Sequence, residues 1–598
     1  MRPSKKQIVL AVLVIGLGTF AGLKYHADHS KKEPIAAITP PRPGCDTVTV
    51  AAATETAPLL AKIADTYNHS GRTLNGKCFG IKVDAVDSAD AESQLVAGWN
   101  VQRGDAPDVW APASSSWLAI FGDDAAKADH STTLVPSTAD SIASTALTVA
   151  MPKPMATALG WPAVPISWRE LAALAKNPAG WGAKGHPEWG AFTFVKANPN
   201  YSTSGLNATI ASFTAATGSP TPLSSGSVAS TSVRSTVAPL EQAIVNYGDD
   251  PTAFLRTQQR ADAEGKPLSY ASAFAVDEKS VLDYDAGNPS GDPATAGSHA
   301  KPRVPLVAIY PSDGTLYSDN PYAVLNATWS THDRQAGAKD FFDYLVMPAQ
   351  QRVFTDAGFR TPTKQPGTAI SASPYLKAAG PSLTLTAPSG STIAALRSAW
   401  SLLRKPARVL LMIDVSSSMG DSTAENGPTK LEQAKSAALS ALDEFTGADE
   451  VGLWQYSSGL PTAARTYQEL VPVGHFDIDK SQISAAISTL TPKNDSTLIP
   501  AVRSAMSQLT DDVEPGHINA IVVLNNAKND YPADNDQAGL VSSLQKGTAG
   551  VKIYSIAYGT GADKAGLQSY ADATKGQLYD ATDTSTVAGA FQSAFSNF

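Results

Sequence analysis

The sequence predicts an α/β protein of two layered domains behind an N-terminal membrane-spanning helix, and three observations carry that expectation. Short β-prone runs alternate with segments of helical apolar spacing along most of the chain, the rhythm of a mostly parallel sheet flanked by helices. The length, 598 residues, exceeds what one ordinary core accommodates. A single apolar run, residues 8–23, follows the charged start Met1-Arg2-Pro3-Ser4-Lys5-Lys6.

That run is long for a signal-peptide core and short for a full span. Thr19-Phe20-Ala21 is a poor cleavage site and no cysteine follows directly to accept a lipid, so an uncleaved anchor at 1–26 is favoured over a removed export signal. Residues 27–44, with Pro34, Pro40, Pro41 and Pro43, have the composition of an extended stalk. The bulk of the chain is then expected outside the cytoplasm. Its two cysteines, Cys45 and Cys78, read as a disulfide in such a compartment, two buried free thiols being the alternative. Closing that loop would stabilise the fold by ~3.5–4 kcal/mol in the chain-entropy model.

The composition, 43% hydrophobic and 17% charged, is that of a globular protein. With 46 basic against 55 acidic residues, net −9, and no polybasic run, it argues against a nucleic-acid partner.

Strands are expected at 47–53, 79–86, 107–110, 145–151, 189–195 and 303–310, with helices at 54–67, 89–99 and 167–174 between them. Residues 219–235 and 285–301 read as surface loops from their Ser, Pro and Gly content. Residues 361–391 are rich in proline and lack periodicity, so a domain boundary falls there: a first domain at 45–378, a linker and lead-in helix at 379–404, and a second domain at 405–598. In the second, strands at 409–413, 450–456, 518–524 and 551–557 alternate with helices at 430–445, 480–490, 498–509, 536–547 and 585–595. This describes a doubly wound, Rossmann-like sheet.

The most informative motif is Val409-Leu410-Leu411-Met412-Ile413-Asp414-Val415-Ser416-Ser417-Ser418. Alternate residues leaving an extended segment turn the same way, so Asp414, Ser416 and Ser418 converge as oxygen ligands for a hard divalent cation at a strand's C-terminal end. The alternative is that they cap a turn and the next helix. No enzyme is expected: the nearest histidines, His475 and His517, lie in no recognisable catalytic context for a serine nucleophile.

From about residue 391 to the end, the chain resembles the von Willebrand factor A domain family, on Val409 to Gly420, Val451-Gly452-Leu453-Trp454, residues 490–498 and Ile521-Val522-Val523-Leu524. The resemblance implies a metal-ion-dependent adhesion site, MIDAS, that completes its coordination with a partner's carboxylate. Carried over, Asp414, Ser416, Ser418 and Thr497 match the ligand positions. The family's T-D-G loop reads Asn525-Asn526-Ala527 here, so Asn526 replaces an aspartate. Mg²⁺, or Mn²⁺ or Ca²⁺, is the implied cofactor, held weakly because an amide oxygen brings no charge. Asp495 or Asp530 on the same rim are candidate substitutes for it.

Residues 45–378 resemble the bacterial extracellular solute-binding proteins that serve ABC importers, on Ala106-Pro107-Asp108-Val109-Trp110-Ala111-Pro112, Ala158-Leu159-Gly160-Trp161-Pro162, Ser202-Thr203-Ser204-Gly205-Leu206, Ala308-Ile309-Tyr310-Pro311 and Gly358-Phe359-Arg360. The whole is similar to an actinobacterial branch in which the two domains are fused. The resemblance implies two lobes of the type II periplasmic-binding-protein fold, closing on a ligand held by Thr54, Glu55, Ser114, Ser115, Ser116, Ser202, Thr203, Ser204 and Tyr310. Ser202-Thr203-Ser204-Gly205 suits an anion or caps a helix. Glu55 argues against a simple oxyanion. The tryptophans Trp99, Trp110, Trp117, Trp161, Trp168, Trp181 and Trp189 are expected in cores rather than as sugar platforms.

The expected function is a membrane-anchored extracytoplasmic binding or scaffold protein, with metal-dependent protein contacts through the second domain and a small ligand in the first. The alternative is an ABC-import receptor with an accessory domain. A first domain that has lost its ligand and serves as a rigid surface is the third reading.

Overall fold

The computed structural model describes residues 43–101, 104–425, 427–462 and 465–598. The expected membrane helix and stalk therefore lie outside the described residues. Among the described residues no helix is long and apolar enough to cross a membrane. The chain forms two compact units, one with residues up to Ala243 and Asp250–Leu403, the other with Ile244–Asp249 and Arg404–Phe598.

In the first unit, β1 (Asp46–Ala52) lies between β2 (Phe79–Ala85) and β3 (Val109–Ala111), all parallel. Helix Ala57–His69 covers this sheet because Leu60, Ile63, Ala64 and Tyr67 share one buried stripe, packed with Val48, Val50, Ile81 and Val83. Each buried Leu, Ile or Val among them contributes about 1.5–3 kcal/mol. Cys45 and Cys78 are joined, with their Cα atoms 5.0 Å apart, which fastens the start of β1 to that of β2.

The second lobe is built on β4 (Thr145–Pro152), β5 (Phe194–Lys196), β7 (Ala273–Asp277), β8 (Leu306–Ile309) and β9 (Tyr317–Ser318); the short β6 (Ile244–Asn246) falls in the other unit. The expected mostly parallel sheet does not hold here: β4 runs antiparallel to β7, β8 and β9, while β5 and β7 are parallel. Every residue of β4 is buried. A strand buried on both faces reads the same in sequence whichever way its neighbours run. β10 (Ala323–Val324) then returns to the first sheet, antiparallel to β3.

The region 219–235, expected to be a loop, holds helix Ser225–Ala229 and the start of helix Thr231–Gln242. Its serines signalled helix starts rather than irregular chain, since Ser224 and Ser227 form a reciprocal capping box. Of the strand expected at 189–195 only the end forms, as β5.

Helix Gly390–Leu403, within the stretch expected as linker and lead-in helix, belongs to the first unit. It packs on helix Ser116–Lys127 of the first lobe and on helices Thr203–Thr217, Ser225–Ala229 and Thr231–Gln242 of the second. A glycine starts it because a Cβ at Gly390 would lie 2.1 Å from the Ala119 carbonyl oxygen. Trp400 donates its indole N–H to Glu241 at 3.1 Å, and Arg397 lies 5.2 Å over the Trp117 ring.

Beside Arg397, burial and the charge of Asp124 push the Glu92 carboxyl up to about 8 from its usual 4.5. Below about pH 4.5 folded and unfolded chains both hold this proton; as pH rises toward 8 the unfolded chain ionises first, so stability is lost across that window. Glu92→Gln is therefore expected to raise the melting temperature more at pH 8 than at pH 5, as measured by melting scans across about pH 5–8.

The second unit carries β11 (Ala407–Asp414), β12 (Glu450–Tyr456), β13 (Tyr467–His475), β14 (Ile518–Asn525), β15 (Lys552–Tyr558) and β16 (Gln577–Ala581), in the order β13-β12-β11-β14-β15-β16. All pairs are parallel except β12 with β13. The edge strands β13 and β16 and helix Lys564–Thr574 escape the sequence reading; β13 is only partly buried and its apolar residues do not alternate cleanly. The central β11 and β14 are almost wholly buried, which their unbroken apolar runs foretold.

Candidate metal centre and interlobe cleft

β11 and β14 are neighbours in parallel register, with Ile413 opposite Leu524, so their carboxyl ends bring Asp414 beside Asn525 and Asn526. Asp414 is fully buried. Its Oδ1 accepts from the Ser416 backbone N–H at 2.8 Å, and its Oδ2 from the Asn526 N–H at 3.1 Å and from Asn525 Nδ2 at 3.2 Å. Burial pushes this carboxyl above its usual value, against those hydrogen bonds, which favour the charged form.

Ser416 and Ser418 have their hydroxyl oxygens 3.3 Å apart, and Asn526 Nδ2 donates to Ser418 Oγ at 2.6 Å. The structure thus gathers Asp414, Ser416, Ser418 and Asn526. Thr497 stands at the start of helix Leu498–Asp511, fully buried, and its hydroxyl donates to the Thr466 carbonyl at 2.5 Å. Its loop is nevertheless stitched to the others: Ser417 N–H donates to Asn494 O at 2.7 Å and Asp530 N–H to Ser496 O at 2.8 Å. The Asp495 carboxylate accepts from Ser458 at 3.3 Å. Asn525, which fixes Asp414 and also donates to Ala527 O at 2.7 Å, is a site residue that the sequence reading passed over. Its position as the last strand residue opposite Asp414 was the available signal.

Among the described residues no three His, Cys, Asp or Glu side chains cluster as a metal cage, since Asp414 is accompanied by hydroxyl and amide groups. One observation fits a cation all the same. Asn526 Oδ1 is buried without a hydrogen-bond partner, an uncompensated acceptor on the rim that Asp414 and Ser418 share.

In the first unit the expected ligand residues divide. Thr54 and Glu55, just past β1, are exposed, and Thr54 Oγ1 donates to Asp87 at 3.4 Å. Glu55 is open to solvent, yet burial raises its carboxyl, with the charges of Asp87 and Asp250 adding to the effect. Ser114 and Ser116 are buried with their hydroxyls 3.3 Å apart, and the Ser115 N–H donates to Asp319 at 2.7 Å.

Ser202, Thr203 and Ser204 are all buried. Ser202 and Ser204 hydroxyls lie 3.1 Å apart, and Thr203 accepts from the Trp117 indole at 2.9 Å, a bond between the lobes. The Ser202 side chain makes no capping bond. Gly205 lets this turn press against the chain, since a Cβ there would lie 2.1 Å from Ala197 O. Tyr310 is buried too, and donates to Glu278 at 2.6 Å. Trp110, Trp117, Trp168 and Trp181 are fully buried and Trp99 nearly so, as packing predicts, but Trp161 and Trp189 are only half-buried, Trp189 lying flat against the His186 ring.

Comparison with known proteins identifies the class. Residues 48–360, more than half of the chain, match the family model of bacterial extracellular solute-binding proteins, and the chain belongs to that family. Residues 409–593 match the von Willebrand factor type A domain, so a solute-binding domain and a von Willebrand A domain are joined in one chain. An uncharacterized protein of Mycobacterium tuberculosis is 23% identical over 553 residues, covering 83% of this chain and 72% of its own length. Among solved structures, a periplasmic thiamin-binding protein is 13% identical with a TM-score of 0.40, over 61% of this chain and 99% of that one. A von Willebrand factor type A protein from Catenulispora acidiphila is 20% identical with a TM-score of 0.26, over 32% of this chain and 42% of that one.

Proposed function

We propose that this is a membrane-anchored extracytoplasmic binding and scaffold protein, whose von Willebrand A domain makes metal-dependent contacts with a partner protein and whose two-lobed domain binds a small ligand in its cleft. The observation that carries the metal-dependent part is the unpartnered Asn526 Oδ1 beside Ser418 and Asp414, at the carboxyl ends of the two central strands. Asp414, Ser416, Ser418 and Asn526 would hold a Mg²⁺ ion, with Thr497 reaching it only by releasing Thr466. The bound ion would supply a positive centre for a partner's carboxylate. The protein's own part is to pre-orient the oxygens, which the Asn525 and Asn526 bonds to Asp414 accomplish.

Because the set contains one carboxylate, metal affinity is modest and rises when a partner adds a second. Titration with Mg²⁺ is expected to raise the melting temperature of the wild-type chain. Saturation at a hundred times the dissociation constant would add about 2.7 kcal/mol. Asp414→Ala should abolish the response. A wild-type melt unmoved by millimolar Mg²⁺ and Mn²⁺, with the same proteins co-purifying in Mg²⁺ and in EDTA, would sink the metal-dependent reading.

A further inference from the structure

The rim of the metal centre holds a lysine that the sequence reading did not place there. Lys430 opens the helix Lys430–Ala441, whose start is pinned by the reciprocal capping box of Thr429 and Glu432. Its carbonyl accepts from the Tyr558 hydroxyl at 3.0 Å, and its N–H donates to Asp421 O at 2.9 Å. The Asp421 N–H in turn donates to Ser418 O at 3.3 Å. The Lys430 backbone is thereby tied both to the end of β15 and to the turn that carries Ser418.

Its side chain lies against the site. Directly after β15, Gly559 takes φ +70°, and the Cβ that it lacks would lie 3.1 Å from Asn526 Oδ1 and 3.6 Å from Lys430 Cε. The end of the lysine stem and the amide in the family's aspartate position therefore flank one small gap. Asn526 reaches the other site groups, bonding Ser418 at 2.6 Å and Asp414 at 3.1 Å. The Lys430 ammonium is paired with Asp421 at 3.3 Å, but that carboxylate is 63% exposed against 17% for the lysine side chain. So wet an acid answers a half-sunken cation only weakly. Lys493, Asp495, Lys528 and Asp530, on the neighbouring loops, are exposed and screened by water.

We propose that Lys430 is the metal centre's own counter-cation, a built-in positive charge that offsets part of the Asp414 charge, opposes the incoming ion and keeps metal affinity low. That role rests on the reading of Asp414, Ser416, Ser418 and Asn526 as a metal centre. The charge balance makes it matter in this chain. With an aspartate at 526 the site would hold two negative charges, and a lysine beside it would leave one; with Asn526 it holds one, and the lysine leaves none. A divalent cation then enters a neutral rim, and an arriving carboxylate meets two positive groups instead of one.

The test is calorimetric titration of the full chain with MgCl₂ at low ionic strength and again in about 0.5 M NaCl. Lys430→Gln is expected to bind Mg²⁺ about threefold to tenfold more tightly than wild type at low salt, with the gain shrinking in high salt. Lys430→Arg, which keeps the charge, should retain wild-type affinity. Lys430 joins the helix start through its backbone, so neither substitution puts the fold at stake. Equal affinity in wild type and Lys430→Gln, a gain that salt does not diminish, or the same gain in Lys430→Arg would overturn the role of Lys430 and leave the metal centre standing. Mg²⁺ bound by Lys430→Gln and not by wild type would sink the metal-dependent reading of the natural chain while supporting the lysine as the ion's replacement. Binding by neither would overturn both.

Discussion

Arg360→Met is expected to be the most damaging single substitution in the first unit. Arg360 and Glu278 are both fully buried, joined by two parallel bonds of 2.6 and 2.9 Å, and Arg360 also donates to the carbonyls of Lys377 and Ala378, each at 2.8 Å. Its backbone pairs with Ser144, where the chain passes from the last first-lobe helix toward the second lobe. Removing the guanidinium strands the buried Glu278 carboxylate with Tyr310 and the Ala146 N–H as its remaining donors, and takes their donor from the Lys377 and Ala378 carbonyls. A loss of about 3–5 kcal/mol follows, because an uncompensated buried charge costs more than the pair contributed. The check is a urea titration followed by hydrogen exchange of the β4 amides. Adding Glu278→Leu should recover part of the loss; strictly additive damage would contradict the account.

Asp449→Ala should do the same to the second unit alone. This carboxylate, fully buried before β12, accepts from Arg404, from the Ala407 N–H at 2.8 Å, and from the Thr446 N–H and hydroxyl at 2.6 and 2.9 Å. It thereby fixes the entry to β11, on which Asp414 rides. The expected cost is again about 3–5 kcal/mol. Exchange should accelerate in β11, β12 and β14 while β1 and β4 keep their protection. Trp454, the single tryptophan after residue 403, stacks 4.1 Å from Tyr467, and substituting the nine others would leave its fluorescence as a reporter of this unit.

The second unit was legible because its central strands are buried runs followed by capped helices; Thr429 and Glu432 form a reciprocal box at the helix start. β13 was not, since an edge strand with one wet face carries mixed residues. In the first unit, direction was hidden: the apolar run of β4 says that it is buried, not which way its neighbours point. The metal-site residues could be read from spacing because D-x-S-x-S leaves a strand at a fixed place. Asn525 could not, as it acquires its role through Asp414, 111 residues distant, a separation that only register and topology bridge.

The helix Gly390–Leu403 has a practical meaning for anyone who would take this chain apart. Proline-rich residues 361–391 look like the joint, yet a fragment cut at 378 would forfeit Ile393, Leu396, Ala399 and Trp400 and bare the apolar surfaces that they cover on both lobes. After that helix the second unit begins at Arg404, which a cut must leave with its partner Asp449, while the segment Ile244–Asp249 of the second unit would stay behind with the first.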